Sequence, residues 1–208
     1  MKKIDDIAKA RRTVKLLPEP PEPLPGAGLS RATVEALLDT AGSAPFHRAS
    51  ASARGGQGAV EPWRVHAVDK PGCAELIPRL TALPKSPGKI INMLAAADAL
   101  LLVTWLPEEG RDWTASDLNM EHIAAAGAMI QTLLLAATES GIGNYWSSGG
   151  VLADEAFEVL GIGREERLLG AIFLWPDIPE GVEAKPGKLR GQRSAPAHWT
   201  RWIEVQRS

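Results

Sequence analysis

The distribution of apolar residues predicts an α+β fold, on three observations. Ala99–Trp105 and residues 168–175 are continuous apolar runs of strand length, which suit strands buried on both faces. Trp63–Asp69 alternates instead, with Trp63, Val65 and Ala67 facing inward and Arg64 and His66 outward, the period of a half-buried strand. Residues 117–140 have the length and composition of an Ala-rich core helix, about 35 Å long at 1.5 Å per residue, and further helical patterns outnumber the strands.

The elements follow in order. Residues 3–12 read as a short charged helix with Ile4, Ile7 and Ala8 on one face, stopped by a Pro-rich run that extends to Gly28. Ser30 can cap a second helix over 31–41, where Val34, Leu37 and Leu38 share a face and Gly42 follows the end. Residues 44–61 are small, polar and Gly-rich without either period, so they form a long loop.

Helices over 72–83 and 87–97 precede the buried strand at 99–105. The long helix takes Ser116 or Asp117 as its cap and Gly141 as its stop, and from Ile123 to Ala137 it is apolar nearly all round. A strand over 142–147, a short helix over 154–160 and the strand over 168–175 complete the order. The tail from residue 176 ends in Trp199 and Trp202, too apolar to hang free, so it docks either on its own sheet or on a second subunit.

A chain of 208 residues with 45% hydrophobic content suits one domain over 1–208 with its own core, so no disulfide or metal staple is required. The net charge of −2 lacks the basic excess of a dedicated nucleic-acid binder. Cys73 is the only cysteine, and no His/Cys spacing suits a metal. Residues 1–20 carry charges where a signal peptide needs an apolar core, and the apolar stretch 123–137 is short of a membrane span, so a cytoplasmic setting is expected.

Common catalytic signatures fail. Gly141-Ile142-Gly143 lies after the long helix, with Trp146 at the sixth position of the dinucleotide pattern, and Gly187-Lys188 is followed by Leu189 where a phosphate loop needs Ser or Thr. No Gly-x-Ser-x-Gly elbow exists, and His122 beside Glu121 reads as a first-turn helix residue. What remains is the placement of cations. Arg11, Arg12 and Lys15 lie near the start, and Lys185, Lys188 and Arg190 near the end, so the two clusters either converge on one phosphate, with Thr13 as a hydroxyl donor, or stand as solvated termini.

Arg11-Arg12-Thr13-Val14-Lys15 resembles the Arg-x-Ser/Thr-x-Lys/Arg motif of the nitroreductase-like FMN-dependent oxidoreductases, and Glu61-Pro62-Trp63-Arg64-Val65 resembles their Gln-Pro-Trp strand start. The long Ala-rich helix, Gly141 to Trp146, Ser147-Ser148-Gly149-Gly150, Leu160-Gly161-Ile162, the strand ending at Trp175 and Lys188-Leu189-Arg190 follow in that family's order. This resemblance implies a nitroreductase-like fold with a mixed or antiparallel sheet. It also implies a homodimer that exchanges terminal arms, with one FMN at each end of the interface and residues 185–208 as the clasping arm.

By the same match, Arg11, Arg12, Thr13 and Lys15 contact the phosphate, ribityl chain and N1/O2 edge, Lys188 and Arg190 complete the phosphate site, and Ser148 and Gly149 lie along the ring. Where the family places an Asn before Gln-Pro-Trp, this chain has Ala44-Pro45-Phe46-His47, an insertion to Gly58 and Glu61, which leaves His47 as the substitute donor. The segment resembles a subgroup whose Ala-Pro-Phe-His precedes an extended loop. The activity implied is hydride transfer from NAD(P)H through FMN to a nitroaromatic, quinone or similar conjugated acceptor, chemistry that the cofactor carries without a catalytic side chain. Two other readings stay open: a flavin-sequestering protein of the same fold, and an unrelated α+β module whose basic termini meet RNA or a phosphoprotein.

Overall fold

The computed structural model describes residues 3–50, 59–108, 116–153, 155–175, 178 and 180–203, with the backbone alone for Glu155, Ala156, Lys188 and Arg190. Six helices and six strands occur among them: α1 (Ile4–Ala10), β1 (Val14–Leu17), α2 (Arg31–Gly42), β2 (Trp63–Asp69), α3 (Lys70–Thr81), α4 (Ile90–Ala96), β3 (Ala99–Trp105), α5 (Asp117–Glu139), β4 (Gly143–Ser147), α6 (Glu155–Leu160), β5 (Arg167–Trp175) and β6 (Glu183–Pro186). The predicted α+β class holds, with every strand pair antiparallel.

The main sheet has the order β2-β3-β5-β4, and β1 pairs with β6 in a separate ribbon. Strand β3 is fully buried, as its continuous apolar run requires. Side chains alternate across it. Leu100 and Leu102 join Ala171, Phe173 and the buried faces of α3 and α4 in one cluster, while Leu101 and Val103 join Ile172, Leu174, α2 and α5 in the other.

Helix α5 begins at a Ser116 cap whose hydroxyl accepts from the Asn119 amide. Asn119 and His122 are buried in its first turns, and Ala125, Ala126, Met129, Ile130, Leu133, Leu134 and Ala137 form an apolar stripe in the α2/sheet cluster. Against the expectation of a helix buried nearly all round, Ala124 is exposed and Ile123, Gly127 and Ala128 are half-buried, because the buried stripe covers only one face. By length and composition α5 could cross a membrane, but its stripe packs as the core of the α2 layer.

A second expectation also changes. Arg64 and His66 do not face water from a one-sided strand, since the α3 layer covers that side. Arg64 is 2% exposed and His66 is half-buried. Cys73 is fully buried, and desolvation pushes its thiol up to about 12, so it stays protonated and inert near neutrality.

Candidate functional site

Helix α1 ends where Arg11 turns into extended backbone, and Arg12 Nη1 donates to the carbonyls of Lys9, Ala10 and Arg11 at that terminus. Arg11 Nη1 donates to Thr13 Oγ1 at 3.1 Å. The chain then enters β1, whose partner is β6, with Val14 opposite Pro186 and Lys15 opposite Lys185. One residue beyond that register, the Gly187 amide donates to the Thr13 carbonyl at 2.8 Å. A Cβ on Gly187 would approach Thr13 Cβ to 3.2 Å, so the two segments touch backbone to backbone.

That pairing fixes where the C-terminal cations begin. Residues 188–192 form a 3-10 turn directly after Gly187, the residue paired with Thr13, and the side chains of Lys188 and Arg190 fall outside the described residues. Lys15 extends the other way. Its Nζ sits 5.1 Å from the centroid of the Tyr145 ring on β4, within cation–π range.

Strand β4 leads from Tyr145 into the turn at 147–150. There the Gly149 amide donates to Ser147 Oγ at 3.2 Å, Ser148 is exposed, and Gly149 and Gly150 have φ of +97° and +55°. Gly149 could not be another residue, since an added Cβ would lie 2.3 Å from Leu168 Cδ2 in a backbone region that L side chains avoid. Gly149→Val is therefore expected to cost about 2–5 kcal/mol, the sum of left-handed strain and overpacking, read as a lower urea midpoint at unchanged m.

Arg11, Thr13 and Gly187 thus lie together, and Lys15 meets Tyr145 two residues before the 147–150 turn. His47 does not join them within one chain. It is exposed on the loop after α2, next to Phe46, whose ring meets Trp63 edge-on at 5.6 Å in the α2/α5 layer, across the sheet from Lys15 and Tyr145. The inserted loop is closed at its neck by the Ser50 amide donating to the Val60 carbonyl at 2.8 Å, and residues 51–58 lie outside the described residues.

A second polar centre, at the start of β5, was not legible as a site in the sequence. Glu166 is 5% exposed, and its Oε2 lies 2.7 Å from His66 Nε2 and accepts from the Thr104 hydroxyl. Arg64 stands behind this group and donates from Nη1 to the carbonyls of Glu61 and Trp63, each at 2.7 Å, and from Nη2 to that of Ala59 at 3.1 Å. Burial pushes the Glu166 carboxyl up, but the bonds from His66 and Thr104 and the charges of His66 and Arg64 outweigh it, and the group sits below its ordinary value.

The strand geometry assembles this centre. Val103 pairs with Gly170 and Thr104 with Leu168, so Leu169 is an extra residue in β5, and the bulge brings the residues before β5 under Thr104 and His66. Beside it opens a cleft of about 1130 Å³. Among the described residues no group of three or more His, Cys, Asp or Glu could hold a metal ion.

Comparison with known proteins places this geometry in context. The sequence model of the Nitroreductase family matches residues 24–174. YfhC of Bacillus subtilis (strain 168), whose assignment as an NAD(P)H nitroreductase is itself inferred, is 30% identical over 194 residues, covering 87% of this chain and 89% of that protein. Among solved structures, a nitroreductase-like family protein from Bacillus cereus superposes with a TM-score of 0.69 at 21% identity over 99% of this chain and 98% of that one. A nitroreductase with bound FMN from Bacteroides fragilis NCTC 9343 gives 0.59 at 20% identity over 98% and 100%. At such identities the structural likeness speaks for the fold.

Proposed function

Because the chain belongs to the nitroreductase family, we propose that it is an FMN-dependent oxidoreductase that passes reducing equivalents from NAD(P)H to a nitroaromatic, quinone or similar conjugated acceptor. The observation that carries this reading is the pairing of β1 with β6 and of Thr13 with Gly187, which sets the N-terminal cation cluster beside the start of the C-terminal one. A phosphate dianion needs several charge-assisted donors to offset its desolvation, and a single terminal cluster of solvated cations does not provide them.

The residues present fit such a ligand. Thr13 and Arg11 offer a hydroxyl and a cation at the paired backbone, Arg12 precedes Thr13, Lys188 and Arg190 follow Gly187 in the chain, and Ser148 and Gly149 lie in the turn that follows Tyr145, the residue under Lys15. Lys15 is held over Tyr145 on the path from the cations to that turn, where a positive charge favours an electron-rich ring edge. FMN, when bound, supplies hydride transfer between nicotinamide and acceptor. This chain's part is to bind and orient it, and no side chain is required as acid, base or nucleophile.

His47 is across the sheet from these donors, so its use at the flavin requires a second copy. This fits a homodimer in which the arm over 185–208 clasps the partner and each FMN lies between subunits. The unit over 1–208 is then one FMN-binding domain, and a cytoplasmic setting suits a nicotinamide-dependent enzyme.

The deciding experiment is the visible spectrum of the purified protein, followed by anaerobic addition of NADPH or NADH. A yellow protein whose flavin band bleaches is the expected result. A yellow protein indifferent to both nicotinamides replaces this reading with flavin sequestration, and a chain that cannot be loaded with FMN overturns it. Lys188→Ala is expected to weaken FMN binding by about 1.5–3 kcal/mol, roughly tenfold to 150-fold in Kd by fluorescence titration.

A further inference from the structure

The cleft beside Glu166 has features of a small-molecule site that the cation cluster does not explain. Its walls include Trp105, Ile123, Phe157, Ile162 and Leu168, and Glu166 lines it as well. Its volume of about 1130 Å³ is slightly above the usual range of roughly 300–1,000 Å³ for ligand pockets, and its aromatic and aliphatic walls are joined by four charged residues, Glu158, Arg164, Glu166 and Arg167. Leu168 is also the side chain against which Gly149 packs, so the cleft adjoins the turn assigned to the flavin ring.

The charges around the cleft are not equivalent. Arg167 Nη1 donates to the carbonyls of Arg164 at 2.6 Å and Glu166 at 3.1 Å, which turns it back onto its own loop. The Arg164 and Glu158 side chains are 91% and 81% exposed and sit 4.0 Å apart on the rim. The buried charge that lines the cleft is Glu166, at 5% exposure.

Its two oxygens differ. Oε2 takes both the Thr104 hydroxyl and His66 Nε2, while Oε1 meets no hydrogen-bond donor among the described residues. A carboxylate accepts at both oxygens, and Oε1, which is not among the fully buried unpaired atoms, is open to the cleft that Glu166 lines. A ligand N–H or O–H reaching Oε1 in this apolar setting would gain a charge-assisted bond that water cannot match at the same site.

We propose that this cleft binds the electron acceptor, and that Glu166 Oε1 selects aromatic acceptors that carry an N–H or O–H donor. The identity of the ligand as the acceptor rests on the flavin reading above. The geometric preference for a donor-bearing aromatic does not. His66 and Thr104 act through Glu166 as positioning residues, fixing Oε2 so that Oε1 faces the ligand.

The test is calorimetric binding of 4-nitrobenzamide and its N,N-dimethyl analogue to the purified protein without nicotinamide. The primary amide is expected to bind at least roughly tenfold more tightly, the usual return on a hydrogen bond to a charged group, and in turnover the gap should appear in KM with kcat nearly equal. Glu166→Gln, whose carbonyl must serve Thr104 and His66 and whose amide nitrogen then faces the cleft, should erase or reverse the preference. Equal binding of the two amides by the parent protein overturns the proposal.

Should Glu166→Gln fail to fold, Ala153→Trp fills the cleft from a wall outside the polar network. It should weaken both amides tenfold or more, and unchanged affinity there overturns the proposal too. The absorbance spectrum separates this from the flavin reading. A colourless protein that still prefers the primary amide removes the flavin assignment alone, and a yellow, bleachable protein that ignores the amide hydrogens removes the Glu166 assignment alone.

Discussion

Replacing Arg64 with methionine is expected to cost about 3–5 kcal/mol of folding stability, the usual penalty for removing one member of a buried charged group. Methionine fills much of the same volume, so the loss reports charge and hydrogen bonds and not a cavity. Three carbonyls, those of Ala59, Glu61 and Trp63, lose their donor at once, and they lie in the turn that returns the inserted loop to β2. Glu166 loses a compensating charge at the same time.

The pH dependence of this loss has a definite sign. The folded-state carboxyl of Glu166 lies below its ordinary value, so its ionised form contributes stability that is present above the unfolded glutamate pKa of about 4.3 and is lost as pH falls through the folded value. Arg64 is one cause of that depression. The gap between parent and variant should therefore be widest from pH 6 to 7, about two units above the unfolded pKa, and narrow as pH drops below it. Urea denaturation at a series of pH values measures both, and a gap that is constant or widens toward acid would remove Glu166 from the account.

The same group shows what the sequence could and could not reveal. Trp63–Asp69 and Ala99–Trp105 carry their strand signal locally, in alternation and in an unbroken apolar run, so both are readable with their bounds. The alternation also assigned Arg64 and His66 to a wet face, which would hold only if the sheet had one covered side. Whether α3 and its neighbours cover the other side is a tertiary fact. Glu166 lies 100 residues from His66, and a bulge at Leu169 sets its place, so nothing in the local pattern marks it.

The β1/β6 ribbon leaves no mark in the sequence for a related reason. Each strand has four residues, Pro flanks or ends both, and neither alternates clearly, so their order comes from pairing across the chain and not from local propensity. The cation clusters are nevertheless legible in the sequence, because charge does not depend on secondary structure. The ribbon supplied what composition lacked, the adjacency of Thr13 and Gly187.

Deleting residues 196–208 is expected to leave a chain that elutes as a monomer or precipitates, against a dimer for the full chain. The arm carries Leu189, Trp199, Trp202 and Ile203 at 75%, 72%, 93% and 74% exposure, four large apolar side chains within fifteen residues left largely uncovered among the described residues. Fully burying such a side chain contributes about 1.5–3 kcal/mol, so the two tryptophans and Ile203 together represent roughly 5–9 kcal/mol of unrealised burial. An isolated exposed Leu needs no explanation, but a cluster of this size on an extended arm marks an interaction surface. In the homodimer proposed above, a second copy would offer the same arm in return, as closed two-fold symmetry requires. Light scattering after size exclusion decides the point, and a truncated chain that remains a stable dimer would show that the arm is not the clasp. If the truncated monomer also loses FMN while Lys188 and Arg190 are still present, the partner subunit is contributing to the site, and His47 becomes the residue to replace next.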